Sequence, residues 1–219
     1  MEMRTTMTTL ILIRHGESQA NRQGIFAGNL NVDLTENGLA QAQKTAEYIV
    51  KNYKIDAVYA SDLIRAYKTG KTVADLLAIP VIADQCLREI QAGKWEGETF
   101  DVIPKKFPAD FSLWINDIGN SCCTDGESVK HLGQRILSAV TKIAKENDGK
   151  TVAIATHATP IRVLQCLIDG YSFDEMQNIP WVSNCSVTEI RYNDGTWEFV
   201  KIGYDEHLVG MRSTLPTNV

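Results

Sequence analysis

Residues 8–13 form an unbroken run of aliphatic and β-branched side chains, and the chain then turns polar and glycine-containing from Arg14 to Asn31. A short apolar run bounded in this way predicts a buried strand that feeds a loop. From Thr35 the spacing changes. Leu39, Ala42, Ala46, Ile49 and Val50 recur every three or four residues, which predicts a helix with these five on its inner stripe and Thr35 as its N-cap. Residues 55–59 read as a second strand. Ser61 and Asp62 then offer capping oxygens to a helix with Leu63, Ala66, Tyr67, Val73, Ala74 and Leu77 on one face, ending before Pro80.

The pattern lapses over residues 93–126. That stretch holds Pro104, Pro108, three of the six phenylalanines and two of the four tryptophans without a sustained period, so it is predicted as an excursion of short helices and loops. Order returns with Val129, Leu132, Ile136, Val140 and Ile143 in a helix over 127–145, followed by an apolar strand over 151–155 and a helix reaching about Ile168. Residues 187–192 and 196–202 flank Asn193-Asp194-Gly195, a hairpin signature. Strands alternating with amphipathic helices indicate an α/β sheet covered on both faces, in one domain over 1–219. Function in such a sheet is expected in loops beyond the carboxyl ends of the strands. Three polar groups fall there: Arg14-His15-Gly16-Glu17, the stretch from Ser61 to Arg65, and Thr156-His157.

Composition narrows the possibilities. With 219 residues, 44% hydrophobic and 22% charged, the chain can bury an ordinary core, which excludes disorder as its main theme. A net charge of −5 leaves no overall basic field to gather nucleic acid or an anionic membrane. The apolar run before Arg14 is far shorter than a signal segment or a membrane span, so a soluble cytoplasmic protein is expected. Five cysteines (Cys86, Cys122, Cys123, Cys166 and Cys185) are odd in number and lack Cys-x-x-Cys spacing, which argues for reduced thiols rather than a disulfide framework or a zinc site.

Two arginines converging with two histidines suit a tetrahedral dianion. Guanidinium forks neutralise phosphate oxygens bidentately, and a neutral imidazole supplies a nucleophilic nitrogen. No Walker loop, no dinucleotide fingerprint and no His-Glu-x-x-His motif occurs, so neither nucleotide nor metal chemistry is indicated.

The chain also carries an ordered set of blocks: Arg14-His15-Gly16-Glu17-Ser18, Asn21, Gly28, Leu34-Thr35, Gly38, Ser61-x-Leu63-x-Arg65-Ala66, Leu87-x-Glu89, Gly93-x-Trp95-Glu96-Gly97, Gly126-Glu127-Ser128 and Thr156-His157. Together they closely resemble the histidine phosphatase superfamily, the phosphoglycerate-mutase-like proteins. The resemblance runs from about Leu10 to Arg162 and implies a three-layer α/β/α sandwich with a mostly parallel sheet. It further implies that His15 is a nucleophile forming a phosphohistidine, that Arg14, Arg65 and His157 hold the phosphoryl oxygens, and that Glu89 is the general acid and base. Asn21 matches a position that contacts the phosphoryl group. No metal or organic cofactor is implied.

Departures from the family pattern are few. Asn31 stands where Asp is frequent, Asp62 where Pro is common, Lys68 where Gln is common, and Ala158 where Gly is usual; at a positive φ that alanine would be strained. Glu96, Glu98 and Glu127 also lie in or beside the excursion, and Glu89 is preferred by its spacing before Gly93-x-Trp95-Glu96-Gly97.

Within the family, the mutase branch resembles a pattern with Trp-Arg-Arg gripping the substrate carboxylate. Here no arginine occurs from Gln91 to Lys130. The chain therefore looks like the phosphatase branch, similar to the broad-specificity and α-ribazole phosphatases, acting on a small phosphorylated metabolite. Phosphoglycerate mutase is the alternative, and a phosphate-recognising binding module with little turnover is a third. Leu164, Leu167, Ile168 and Tyr171 offer either a homodimer patch or packing inside the fold.

Overall fold

The computed structural model describes residues 6–213. Along the chain lie β1 (Thr8–Arg14), α1 (Gln19–Gln23), α2 (Glu36–Asn52), β2 (Ala57–Ala60), α3 (Ile64–Leu77), β3 (Val81–Ala83), α4 (Ile103–Lys106), α5 (Pro108–Asn116), α6 (Val129–Glu146), β4 (Thr151–Thr156), α7 (Ala158–Ile168), β5 (Val187–Asn193) and β6 (Thr196–Tyr204). The six strands form one sheet in the order β3-β2-β4-β1-β5-β6. The first four are mutually parallel, and β5 and β6 run antiparallel at one edge.

Side chains on a strand alternate between faces, and β1 shows why this sheet needs two helical layers. Leu10 and Leu12 enter one core together with Leu132, Ile136 and Val140 of α6 and Ile161 and Leu164 of α7. Ile11 and Ile13 enter the other, against Ala46 and Ile49 of α2 and Val73 and Ala74 of α3. All four β1 side chains are completely buried. The result is the expected three-layer α/β/α sandwich.

Three sequence expectations change in detail. Leu39 is 48% exposed rather than on the inner stripe of α2. The buried positions of that helix include Gln41 and Thr45. Their polar atoms are matched: Gln41 Oε1 accepts from Glu17 N at 2.8 Å, and Thr45 Oγ1 donates to Cys185 O at 3.1 Å. A count of apolar residues cannot see an inner stripe built partly from satisfied polar groups.

Secondly, Ser61 and Asp62 do not cap α3. Leu63 occupies the N-cap position without a side-chain bond, and the cap comes from elsewhere, with Asn31 Oδ1 accepting from Ile64 N at 2.7 Å. Asp62 instead pairs bidentately with Arg88 at 2.6 and 2.5 Å. Thirdly, β3 is an additional three-residue edge strand, too short to show a period.

The excursion is built of short helices as expected. Its 3₁₀ turn Gly93–Trp95 and the helices α4 and α5 fold back so that Trp95 and Trp114 are buried, and both rings meet Phe26 edge-on. The β5–β6 hairpin turns through Asp194 and Gly195, both at positive φ. Of the four residues considered for a dimer patch, Leu164 is completely buried, Leu167 and Ile168 pack against the same core, and Tyr171 is exposed. No described helix is long and apolar enough to cross a membrane.

Candidate active site

The parallel register assembles the site. Arg14, last in β1, lies opposite Thr156, last in β4, and His15 N donates to Thr156 O at 3.0 Å. On the other side of β4, Ser61 N donates to Ala155 O at 2.9 Å. Three strand ends therefore meet on one rim, and the first turn of α3 adds Arg65. Close approach of the His15 loop to α2 depends on Gly38, because a Cβ there would stand 2.0 Å from Glu17 O.

His15 is buried, with Nδ1 2.7 Å from Gly16 O. A carbonyl can only accept, so Nδ1 carries the hydrogen and the Nε2 lone pair faces Arg65, whose Nε donates to it at 3.3 Å. Burial first, and then the neighbouring Arg65 and Arg14 charges, hold the His15 pKa well below its usual 6.5. The imidazole is neutral at neutral pH and keeps a free electron pair.

His157 lies edge-on to His15, with ring centroids 5.1 Å apart. Its Nε2 is 2.8 Å from Ser61 Oγ, while Nδ1 has no hydrogen-bond partner among the described residues. Burial and then Arg65 keep it neutral as well, its pKa again well below 6.5.

The two arginines are anchored by carbonyls rather than carboxylates. Arg14 Nη1 donates to Val182 O at 2.5 Å, and Arg65 donates from Nη1 to Leu30 O at 2.8 Å and from Nη2 to Gly28 O at 2.7 Å. Arg65 is not the solvated partner of Asp62 that its helix position alone would suggest; it is only 1% exposed. Burial lowers both guanidinium pKa values to about 10, which still leaves them cationic at neutral pH. Arg14 Nε has no hydrogen-bond partner among the described residues. Buried cations without a bonded counter-ion are costly, so the pocket favours an anion.

Of the four candidate glutamates, Glu89 lines the cleft. Its Oε1 accepts from Ile90 N at 2.9 Å and its Oε2 from Thr159 N at 3.4 Å. The others have different employment. Glu96 Oε1 accepts from Asn29 N and Ala92 N, Glu98 pairs with Lys106, and Glu127 pairs with Arg135. Asn21 also lines the cleft, with Oδ1 accepting from Ser18 N, Ser18 Oγ and Asn184 Nδ2. Thr35 stays outside it as the N-cap of α2, accepting from Gly38 N at 2.9 Å. Ala158 is the first residue of α7 and does not adopt a positive φ, so the alanine is unstrained. Lys68 pairs with Asp33 on the surface.

Several contributors lay beyond sequence reasoning. Asn184 Nδ2 donates to His15 O at 2.9 Å and so steadies the His15 backbone. Phe26, Phe100, Trp114 and Trp181 wall the cleft as a connected run of rings. Of these, Phe100 and Trp114 lie in the excursion, where the sequence already suggests Trp114 as core or pocket wall, whereas no spacing rule marked Phe26 or Trp181. The empty space of the cleft, including its solvent-open part, is about 700 Å³, which fits a small metabolite rather than a macromolecule. Among the described residues no cluster of three or more His, Cys, Asp or Glu side chains is arranged to hold a metal ion.

A neutral histidine that shares a cleft with two buried guanidinium groups, at the carboxyl rim of a parallel sheet, has the chemistry to receive a tetrahedral anion. Residues 10–205 match the model of the histidine phosphatase superfamily (branch 1), and the chain belongs to that superfamily.

It is 32% identical over 184 residues to a putative phosphoserine phosphatase 2 of Hydrogenobacter thermophilus, covering 84% of this chain and 89% of that one. It is 31% identical over 201 residues to the metal-independent phosphoserine phosphatase of Arabidopsis thaliana, covering 90% and 82% of the two chains. The solved structure of Bacillus stearothermophilus YhfR superposes with a TM-score of 0.87 at 31% identity, over 92% of this chain and 99% of that one.

Proposed function

We propose that this protein hydrolyses phosphate monoesters of small metabolites through a phosphohistidine on His15. The observation that supports this reading best is the unprotonated His15 Nε2 beside Arg65, in a cleft that Arg14 also lines, the two arginines being buried cations without a bonded carboxylate among the described residues. The names of the relatives support the same class of chemistry.

In the first step Nε2 attacks phosphorus in line, and the Nε2–P bond forms as the P–O bond to the alcohol breaks. Glu89 gives its proton to the departing oxygen. In the second step Glu89 takes a proton from water, the resulting oxygen nucleophile attacks phosphorus, and the Nε2–P bond breaks to release inorganic phosphate. Arg14, Arg65 and His157 hold the non-bridging oxygens, where charge is spread in the transition state. Asn21, which lines the same cleft, is assigned a supporting contact to the phosphoryl group. Each step uses side chains of this chain alone, and one relative is named as metal-independent.

The test is rapid-quench mass spectrometry with p-nitrophenyl phosphate, comparing wild type with His15→Ala in the presence of a chelator. A transient phosphoryl adduct on His15 with chelator-resistant phosphate release is expected. Isomerised phosphoglycerate without net release would turn the reading to a mutase. Binding of phosphate esters without adduct or release would turn it to a recognition module.

A further inference from the structure

Ser61 directly follows β2 and opens the block Ser61-x-Leu63-x-Arg65, and its side chain is completely buried. Its Oγ has two polar neighbours among the described residues: Leu63 N, which donates to it at 3.3 Å, and His157 Nε2 at 2.8 Å. A hydroxyl gives one hydrogen and receives at two lone pairs. The Leu63 amide can only donate, so it takes one lone pair, and the open question is which atom holds the hydrogen between Ser61 Oγ and His157 Nε2.

His157 is completely buried and neutral, so one ring nitrogen carries a hydrogen and the other is bare. If Nε2 carried it, the Ser61 hydroxyl hydrogen would lack an acceptor and the bare Nδ1 would lack a donor among the described residues. That strands two buried polar groups. If Nδ1 carries it, the hydroxyl donates to Nε2, and the Nδ1 hydrogen alone is left over. Each stranded group is costly, so the second arrangement prevails.

Building on the hydrolytic reading, we infer that Ser61 is a positioning residue whose hydroxyl holds His157 in the Nδ1–H tautomer, so that this ring gives a hydrogen bond to a phosphoryl oxygen where His15 gives an electron pair to phosphorus. The two rings carry their hydrogen on the same nitrogen but are tied down at opposite ends. Gly16 O takes the Nδ1 hydrogen of His15 and leaves Nε2 to attack, whereas Ser61 occupies Nε2 of His157 and leaves its Nδ1 hydrogen to be shared with an anion. His157 then has no bare nitrogen to compete for phosphorus.

The experiment is nitrogen NMR of histidine-labelled wild type, with the His157 signals assigned from their loss in His157→Gln. A protonated Nδ1 and a bare Nε2 are expected for His157, and added inorganic phosphate should shift Nδ1 more than Nε2. Ser61→Ala should lose the fixed tautomer and weaken the binding of inorganic phosphate about tenfold, the effect of misplacing one hydrogen bond to a charged group. Its kcat/KM for p-nitrophenyl phosphate should fall with it. Ser61→Thr, which keeps the hydroxyl, should restore all three.

A protonated Nε2 on His157 in wild type overturns the proposal, and that reading requires no variant to fold. So does an unchanged tautomer, or an unchanged affinity for phosphate, in Ser61→Ala. If wild type hydrolyses no ester, the hydrolytic reading falls, while the tautomer and the phosphate affinity still decide the role of Ser61.

Discussion

Arg135 of α6 holds the loop that carries Glu89, and its replacement by methionine should both destabilise the protein and blunt acid catalysis. Its guanidinium donates to three loop carbonyls, Cys86 O at 2.9 Å, Arg88 O at 3.1 Å and Glu89 O at 3.2 Å. It also binds Glu127 from Nε at 3.0 Å and from Nη2 at 2.8 Å. Glu127 in turn accepts from Gln91 N at 3.2 Å, so the two side chains grip both sides of the Glu89 loop. The side chains of this ion pair are 20% and 7% exposed. Breaking a buried pair by removing one partner costs about 3–5 kcal/mol, and the partial exposure of Arg135 places Arg135→Met near the lower figure, about 3 kcal/mol.

For a domain of this size that corresponds to a fall in Tm of roughly 6–12 °C. Urea unfolding gives the stability change, and adding Glu127→Gln in the same chain should recover part of it, because the stranded carboxylate is then gone. The catalytic signature is separate. With the loop released, kcat should fall more for an alkyl phosphate, whose oxygen needs a proton, than for p-nitrophenyl phosphate, whose oxygen does not. A stability change within about 0.5 kcal/mol, the range of ordinary surface substitutions, would refute the reasoning. So would equal losses of kcat on both substrates.

Glu89→Gln should show the same dependence on the leaving group more strongly, with kcat for alkyl esters reduced by about 10²–10⁴-fold and p-nitrophenyl phosphate much less affected; steady-state kinetics across a series of leaving groups checks this. Stability should decline on the acid side of neutrality. The folded pKa values of His15 and His157 lie below the unfolded 6.5, so as pH falls through that value the unfolded chain binds protons that the native site refuses. The decline should set in as pH falls through about 6.5, and His157→Gln should make it shallower in urea unfolding. Asn31→Ala should cost about 1 kcal/mol through the lost cap on α3, whereas Asn31→Asp, with a full charge at the helix N-terminus, should add about 0.3–1 kcal/mol; thermal unfolding distinguishes the two.

Much of the fold was legible along the chain because burial imposes local periods. The unbroken run in β1 and β4 predicted strands covered on both faces, and the three-to-four-residue spacing of Val129, Leu132, Ile136 and Val140 predicted α6. The candidates Arg14, His15, Arg65 and His157 were legible too, since each lies at or just beyond a strand end, where a parallel sheet gathers its loops. Their convergence is what the parallel register of β1, β4 and β2 adds.

Other features belong to no single segment, and only the folded chain decides them. Asn31 caps a helix that begins 33 positions later, and Ser61, read as a cap, binds His157 across 96 positions instead. Leu39 faces solvent because Gln41 and Thr45 find partners inside. Periodicity records which positions meet apolar surface, but a hydrogen bond between distant segments leaves no period behind it. For the same reason the candidate histidine and its arginines could be read from the sequence, while Phe26 and Trp181 joined Phe100 and Trp114 of the excursion in one cleft wall only when the chain folded.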